Sequence, residues 1–188
     1  MNAYDFDKTI YNGDSTAHFY FYCLRHQPRI AKWLPYQGWC FLLYALKVYT
    51  KTQFKERFYS FFKSVNDIEQ TVEDFWDAKI SNIKGWYLEN SREDDLIISA
   101  SPEFLLRPAI RRLKLTNLIA SRVDFHDGKY TGLNCWGEEK VKRLRSEMGD
   151  IEYDYFYSDS YSDTPLAELA KVESYIVDGD KLLPWKRR

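Results

Sequence analysis

Two aspartates, Asp5 and Asp7, stand near the start of the chain in the run Asp5-Phe6-Asp7-Lys8-Thr9, and a second pair, Asp159 and Asp163, stands four residues apart near its end. Between the pairs lie Ser99, closing the apolar run Leu96-Ile97-Ile98, and Lys140 in Gly137-Glu138-Glu139-Lys140-Val141. Four carboxylates, if the fold brought them into one crevice, would repel one another unless a cation compensated. Ser99 precedes a helix expected to start at Pro102, whose unpaired N–H groups suit an anion. Ser101 reads as the cap of that helix. A lysine in the first turn of a helix opposes the helix dipole, so Lys140 requires an acidic partner there; Lys142 is the alternative.

These residues need a scaffold that brings distant strand ends together. From Asp94-Asp95 onward, short apolar runs alternate with helical patterns: strand Leu96–Ser99, helix Pro102–Leu113, strand Asn117–Phe125, a turn or hairpin at 127–132, helix Glu138–Met148, strand Tyr153–Tyr157, helix Thr164–Leu169 and strand Ser174–Val177. Alternation of this kind implies a parallel sheet, which Asn2–Tyr4 should join. From about Gly13 to Asn90 the pattern is helical instead, with Phe54, Phe58, Phe61 and Phe62 at helical spacing and Asp67 followed by Gln70 as a helix start. The expected fold is α/β: a Rossmann-like open, mainly parallel sheet formed by residues 1–12 and 91–188, with an inserted α-helical cap over 13–90 of three or four helices. In such sheets ligands collect beyond the carboxyl ends of the strands, where Asp5 and Asp7 would lie.

Taken in order, the four motifs resemble those of the haloacid dehalogenase-like hydrolase superfamily, and the insertion after the first motif resembles the cap of its phosphoserine-phosphatase-like branch. The resemblance covers nearly the whole chain. It implies that Asp5 is a nucleophile that becomes phosphorylated and that Asp7 protonates the leaving oxygen before activating water. It further implies that Ser99 and Lys140 bind the phosphate, with Thr9 beside them fixing Asp7. By the same resemblance Mg²⁺ is held by Asp5, Asp159 and the carbonyl of Asp7, while Asp163 orients Lys140 or a metal-bound water. Ser158, Ser160 and Ser162 depart from the family, which frequently carries Gly, Gly and Asn at these positions. Arg57 falls near the place where phosphoserine phosphatases bind a substrate carboxylate.

A net charge of -1 offers no basic field for a polyanion, so nucleic-acid binding is set aside. Three widely spaced cysteines, Cys23, Cys40 and Cys135, suggest neither a disulfide framework nor a zinc site, and together with an acidic N-terminus lead to the expectation of a cytoplasmic protein. The aromatic segment Trp33–Leu46 is shorter than a membrane span and is broken by Pro35, Gln37 and Gly38, which leaves a buried or interfacial helix. The expected function is hydrolysis of a small phosphomonoester. Phosphotransfer to an organic acceptor, as in phosphomutases, and membrane-peripheral hydrolysis of a lipid phosphate are the alternatives.

Overall fold

The structure, a computed structural model, describes residues 1–186. Its sheet is built around β1 (Ala3–Tyr4), a buried two-residue strand, with β2 (Leu96–Pro102) and β3 (Asn117–Ser121) on one side. On the other side lie β4 (Tyr155–Ser158), β5 (Glu173–Asp178) and β6 (Lys181–Pro184). The order is β3-β2-β1-β4-β5-β6, parallel throughout except for β6. Leu96, Ile97 and Ile98 are all fully buried, as expected of a parallel strand covered on both faces. The fold class is therefore the α/β architecture expected from the alternation.

Two elements differ from expectation. The antiparallel β6 follows Gly179, whose φ of +60° closes the tight turn after Asp178. The strand expected over Asn117–Phe125 stops pairing at Ser121, and the following turn is joined only by an isolated bridge between Val123 and Tyr130. Gly128 in that turn has φ +78°, and a Cβ there would lie 2.4 Å from the Tyr59 carbonyl oxygen, so the turn fits against the helical block only as glycine.

The block between β1 and β2 contains α1 (Ser15–His26), α2 (Leu34–Ala45), α3 (Lys51–Phe58), α4 (Ile68–Lys79) and the short α5 (Gly85–Leu88). This is one α-helix more than the upper expectation, and tight 3₁₀ turns at Pro28–Trp33 and Tyr59–Ser64 join several of them. Local chemistry starts the helices. Asp14 accepts from the Ala17 amide, Thr50 and Gln53 form a reciprocal capping box, and Asp67 accepts from the Gln70 amide. After β2 come α6 (Glu103–Arg112), α7 (Glu138–Met148) and α8 (Thr164–Ala167).

The helical block has no separate hydrophobic centre. One apolar cluster runs from Tyr4, Phe6 and Ile97 of the sheet into Phe19, Phe75 and Trp76 of the helices. Phe6 meets Trp76 edge-on, with centroids 5.8 Å apart, and the Trp76 indole N–H donates to the Leu105 carbonyl at 2.6 Å. Truncating Trp76 to alanine would cost on the order of 3–5 kcal/mol. A second, smaller cluster on the opposite face joins Ala3, Leu96 and Phe156 to Leu144 of α7 and Leu166 of α8.

Candidate active site

The strand order places the chemistry. The chain leaves β1 toward β2 and β3, then crosses back through α7 to β4 on β1's other flank, so the ends of β1 and β4 form the point at which the connections diverge. Crevices at such switch points collect ligands. Asp5 immediately follows β1, Asp159 immediately follows β4, Ser99 lies on β2, and Lys140 projects from the first turn of α7. All four line one cleft of about 280 Å³, together with Asp7 and Asp163.

At its floor the Lys140 ammonium lies 2.7 Å from Asp5 Oδ1 and 2.7 Å from Asp163 Oδ2. Lys140 is 2% exposed. Burial pulls its pKa down, but Asp5 and Asp163 outweigh that and drive it upward, so it stays charged. Two carboxylates thus share one ammonium. Burial, reinforced by Asp163 and only partly offset by Lys140, pushes the Asp5 carboxyl up to about 7. Ser158 donates to the Asp163 oxygen that faces Lys140, at 2.8 Å. Lys142 has no comparable place, and only Lys140 of the two lines the cleft.

Asp7 is held differently. In the turn after β1, alternation sends Phe6 into the core while Asp5 and Asp7 face the cleft. One Asp7 oxygen accepts from the Ser15 amide at the start of α1 at 2.6 Å, and the other accepts from the Ser101 hydroxyl at 2.5 Å. Burial and repulsion from Asp14 push its carboxyl up to about 6 against the pull of those donors. Ser101 is therefore not a helix cap. Pro102 occupies the N-cap position without a side-chain bond, and a register shift between Ser99 and Pro102 turns Ser101 toward Asp7. The buried Ser99 hydroxyl accepts from the Ser101 amide at 3.1 Å, which leaves its proton for a ligand.

The loop after β4 dispenses with glycine. Ser158, Ser160 and Ser162 all have negative φ, so a side chain is sterically allowed at each. Their hydroxyls tie the loop: Ser158 Oγ accepts from the Ser160 amide at 3.2 Å, and Ser160 and Ser162 exchange a bond at 2.9 Å.

Two further expectations change. Thr9 does not reach Asp7 and does not line the cleft. Fully buried, it accepts from the Asp159 amide at 3.0 Å and points its hydroxyl at Asp5 Oδ2 at 3.5 Å, bracing the two strand ends from behind. Arg57 is not at the cleft either, because its guanidinium lies 4.2 Å over the Tyr49 ring. On α3 the residues one helical turn apart that face the cleft are Lys51 and Lys55, and Arg57, two positions past Lys55, falls on the other side. Neither lysine belongs to a motif; their i,i+4 spacing behind a capping box was the available signal. Asp163 stands where one of its two expected roles requires: one oxygen meets Lys140 and Ser158, which orients Lys140, while Oδ1 has no hydrogen-bond partner.

The donors present suit Mg²⁺. Of the four lysines along the cleft only Lys140 reaches a carboxylate at ion-pair distance, Asp163 Oδ1 is buried without a hydrogen-bond partner, and burial raises the pKa of Asp159. Negative charge therefore remains uncompensated between Asp5 and Asp159. Among the described residues no three His, Cys, Asp or Glu side chains form a ready-made cage. A Mg²⁺ site does not require one, since one or two carboxylates with carbonyl, water and phosphate oxygens complete its octahedron.

Comparisons with known proteins bear on the family and the fold. A probable phosphatase of Mycobacterium tuberculosis is 40% identical over 90 residues, a match spanning 44% of this chain and 31% of that protein. Among solved structures, a protein of unknown function from Bordetella pertussis Tohama I shares the fold with a TM-score of 0.75 at 21% identity, covering 94% of this chain and 88% of that one. A phosphoserine phosphohydrolase-like protein from Francisella tularensis superposes with a TM-score of 0.55 at 16% identity over 93% of this chain and 85% of its own. The family model for haloacid dehalogenase-like hydrolases matches residues 3–168, and with the four motifs assembled at one switch point the chain belongs to that family.

Proposed function

We propose that the protein is a Mg²⁺-dependent phosphatase that hydrolyses a small phosphomonoester through an aspartyl-phosphate on Asp5. The observation that supports this most directly is the buried Lys140 ammonium bridging Asp5 and Asp163 beside Ser99 and Asp7. Asp5 and Asp159 would hold the ion, which supplies charge neutralisation for the entering phosphate. On this reading residues 13–90 act as the cap that covers the cleft and residues 1–12 and 91–188 as the catalytic core, of which 187 and 188 lie outside the described residues.

Asp5 Oδ1 is taken by Lys140, while Oδ2 has only the long contact with Thr9, so Oδ2 attacks phosphorus. The new P–O bond forms as the ester P–O bond breaks, and the leaving oxygen takes the proton of Asp7. A carboxyl raised to about 6 is partly protonated near neutral pH, and Ser15 and Ser101 fix it in place. Asp7, now ionised, accepts a proton from water, which attacks the phosphorus and releases phosphate and Asp5. Ser99 donates to a phosphoryl oxygen, and Lys140 neutralises charge that develops in transfer.

With Mg²⁺ present, Asp5→Asn should abolish hydrolysis of p-nitrophenyl phosphate while the circular dichroism spectrum stays unchanged. Turnover comparable to the unsubstituted protein would refute the nucleophile, and turnover that persists in EDTA would refute the metal.

A further inference from the structure

The 41 residues from Ser15 to Lys55 contain six Lys or Arg and not one Asp or Glu, whereas the remainder of the chain carries 21 basic against 28 acidic side chains. A near-neutral protein is thus strongly divided. Among the described residues none of the six cations forms an ion pair with a carboxylate.

The same segment carries α2, twelve residues without a charge. Its packed side is narrow, with the Phe41 and Tyr44 rings meeting Phe54 of α3 at 6.0 and 5.1 Å. Gln37 accepts from the Tyr20 hydroxyl and donates to the Phe58 carbonyl at 2.9 Å, and beside it only Cys40 is buried. At 100° per residue, Trp39, Leu42 and Leu46 fall on the side turned away from Gln37 and Cys40, where a soluble helix ordinarily carries charge. They are 59, 47 and 64% exposed. Phe41, beside Phe54, and Val48, past the helix end, are 58 and 62% exposed. Lys32 precedes the helix and Lys47 follows it, both exposed.

We propose that this face of α2 docks on an anionic lipid surface, the helix lying in the interface with Trp39, Leu42 and Leu46 in the acyl boundary and Lys32 and Lys47 among the headgroups. Exposed Trp, Phe and Leu flanked by basic residues are the composition of an interfacial helix. At 1.5 Å per residue, α2 extends about 18 Å, short of the roughly 30 Å apolar core of a bilayer. No helix among the described residues is long and apolar enough to cross a membrane, so the mode is lying on, not spanning. A second copy of the chain is the poorer occupant. Two-fold pairing through this patch would bring two acid-free basic rims together.

The test is co-sedimentation of the full chain with phosphatidylcholine vesicles, with and without phosphatidylserine. Binding should be at least about tenfold stronger on the anionic vesicles, since each basic residue near such a surface contributes on the order of 1 kcal/mol. It should fall with added salt and be lost in Trp39→Glu/Leu42→Glu, whose side chains are already in water and whose p-nitrophenyl phosphate turnover should be unchanged. Lys32→Glu/Lys47→Glu, which leaves the apolar face intact, should weaken binding to anionic vesicles alone. Failure to bind them overturns the proposal. So does a dimer in sedimentation equilibrium that Trp39→Glu/Leu42→Glu dissociates, which would assign the surface to a second copy. Asp5→Asn should bind like the unsubstituted protein, so failure of the catalytic reading and failure of this one are separable.

Discussion

The sheet ends and the surface of α2 break the usual partition of residues in opposite directions. At the sheet ends, charge is inside: Asp5, Lys140 and Asp163 are buried and pair with one another. On α2, apolar bulk is outside: Trp39, Leu42 and Leu46 face water while, among the described residues, Lys32 and Lys47 form no ion pair. Burying an ion and exposing a large apolar patch are each unfavourable for a free monomer. The sheet ends thus have their partners built in, whereas the outer face of α2 has none among the described residues.

Lys140→Ala would break the first half most severely. It leaves two buried carboxylates facing each other, which should cost about 3–5 kcal/mol in urea unfolding besides abolishing turnover. Lys142→Ala should leave the urea midpoint unmoved. A Lys140→Ala protein as stable as the original would mean that the ammonium is not what holds the floor together.

A pH series would sharpen the same half. The Asp5 and Asp7 carboxyls lie at about 7 and about 6 in the folded protein against an ordinary 3.8. Between those values the native state holds protons that the unfolded chain has lost, so their contribution to stability is greatest below about pH 4 and is lost as pH rises through 6 to 7. Without metal, stability attributable to Asp5 should therefore fall across this window, on the order of a few kcal/mol at most. Comparing urea midpoints of the original and Asp5→Asn isolates the effect, and Mg²⁺ should flatten the slope. Identical slopes for both proteins would contradict the burial argument.

The smallest effect is expected at Arg57→Ala. With its guanidinium stacked on Tyr49 outside the cleft, KM and kcat for p-nitrophenyl phosphate should change by less than about twofold, in keeping with an exposed cation–π contact of about 0.5–1 kcal/mol. Lys55→Ala, by contrast, removes a cation that lines the cleft, and should raise KM more than Arg57→Ala does.

Much of the catalytic end was legible because its residues stand at element boundaries. Asp5, Ser99, Lys140 and Asp159 lie where a short strand run ends or a helix begins, and helix Glu138–Met148 appears within the bounds read from its pattern. What was not legible depends on geometry that no local pattern encodes. Ser101 precedes a proline-led helix and reads as a cap, and only the register shift at the end of β2 makes it a donor to Asp7. Thr9 contacts a residue 150 positions away. Strand β6 is four exposed residues after a tight turn, too short for alternation to mark. The exposure of α2 was hidden for a different reason: an uncharged aromatic segment predicts burial against something, and composition alone does not say what.

The Trp76–Leu105 bond and the shared apolar cluster carry one more consequence. Because α4 is riveted to α6 through the protein's own centre, the whole helical insertion has no hinge on which to swing as a rigid body without tearing Phe6 from Trp76. Any opening of the cleft has to leave that packing intact, and α3 is itself tied across it, Lys55 donating to the Ala100 carbonyl at 3.1 Å and Thr52 accepting from the Asn134 amide at 3.3 Å.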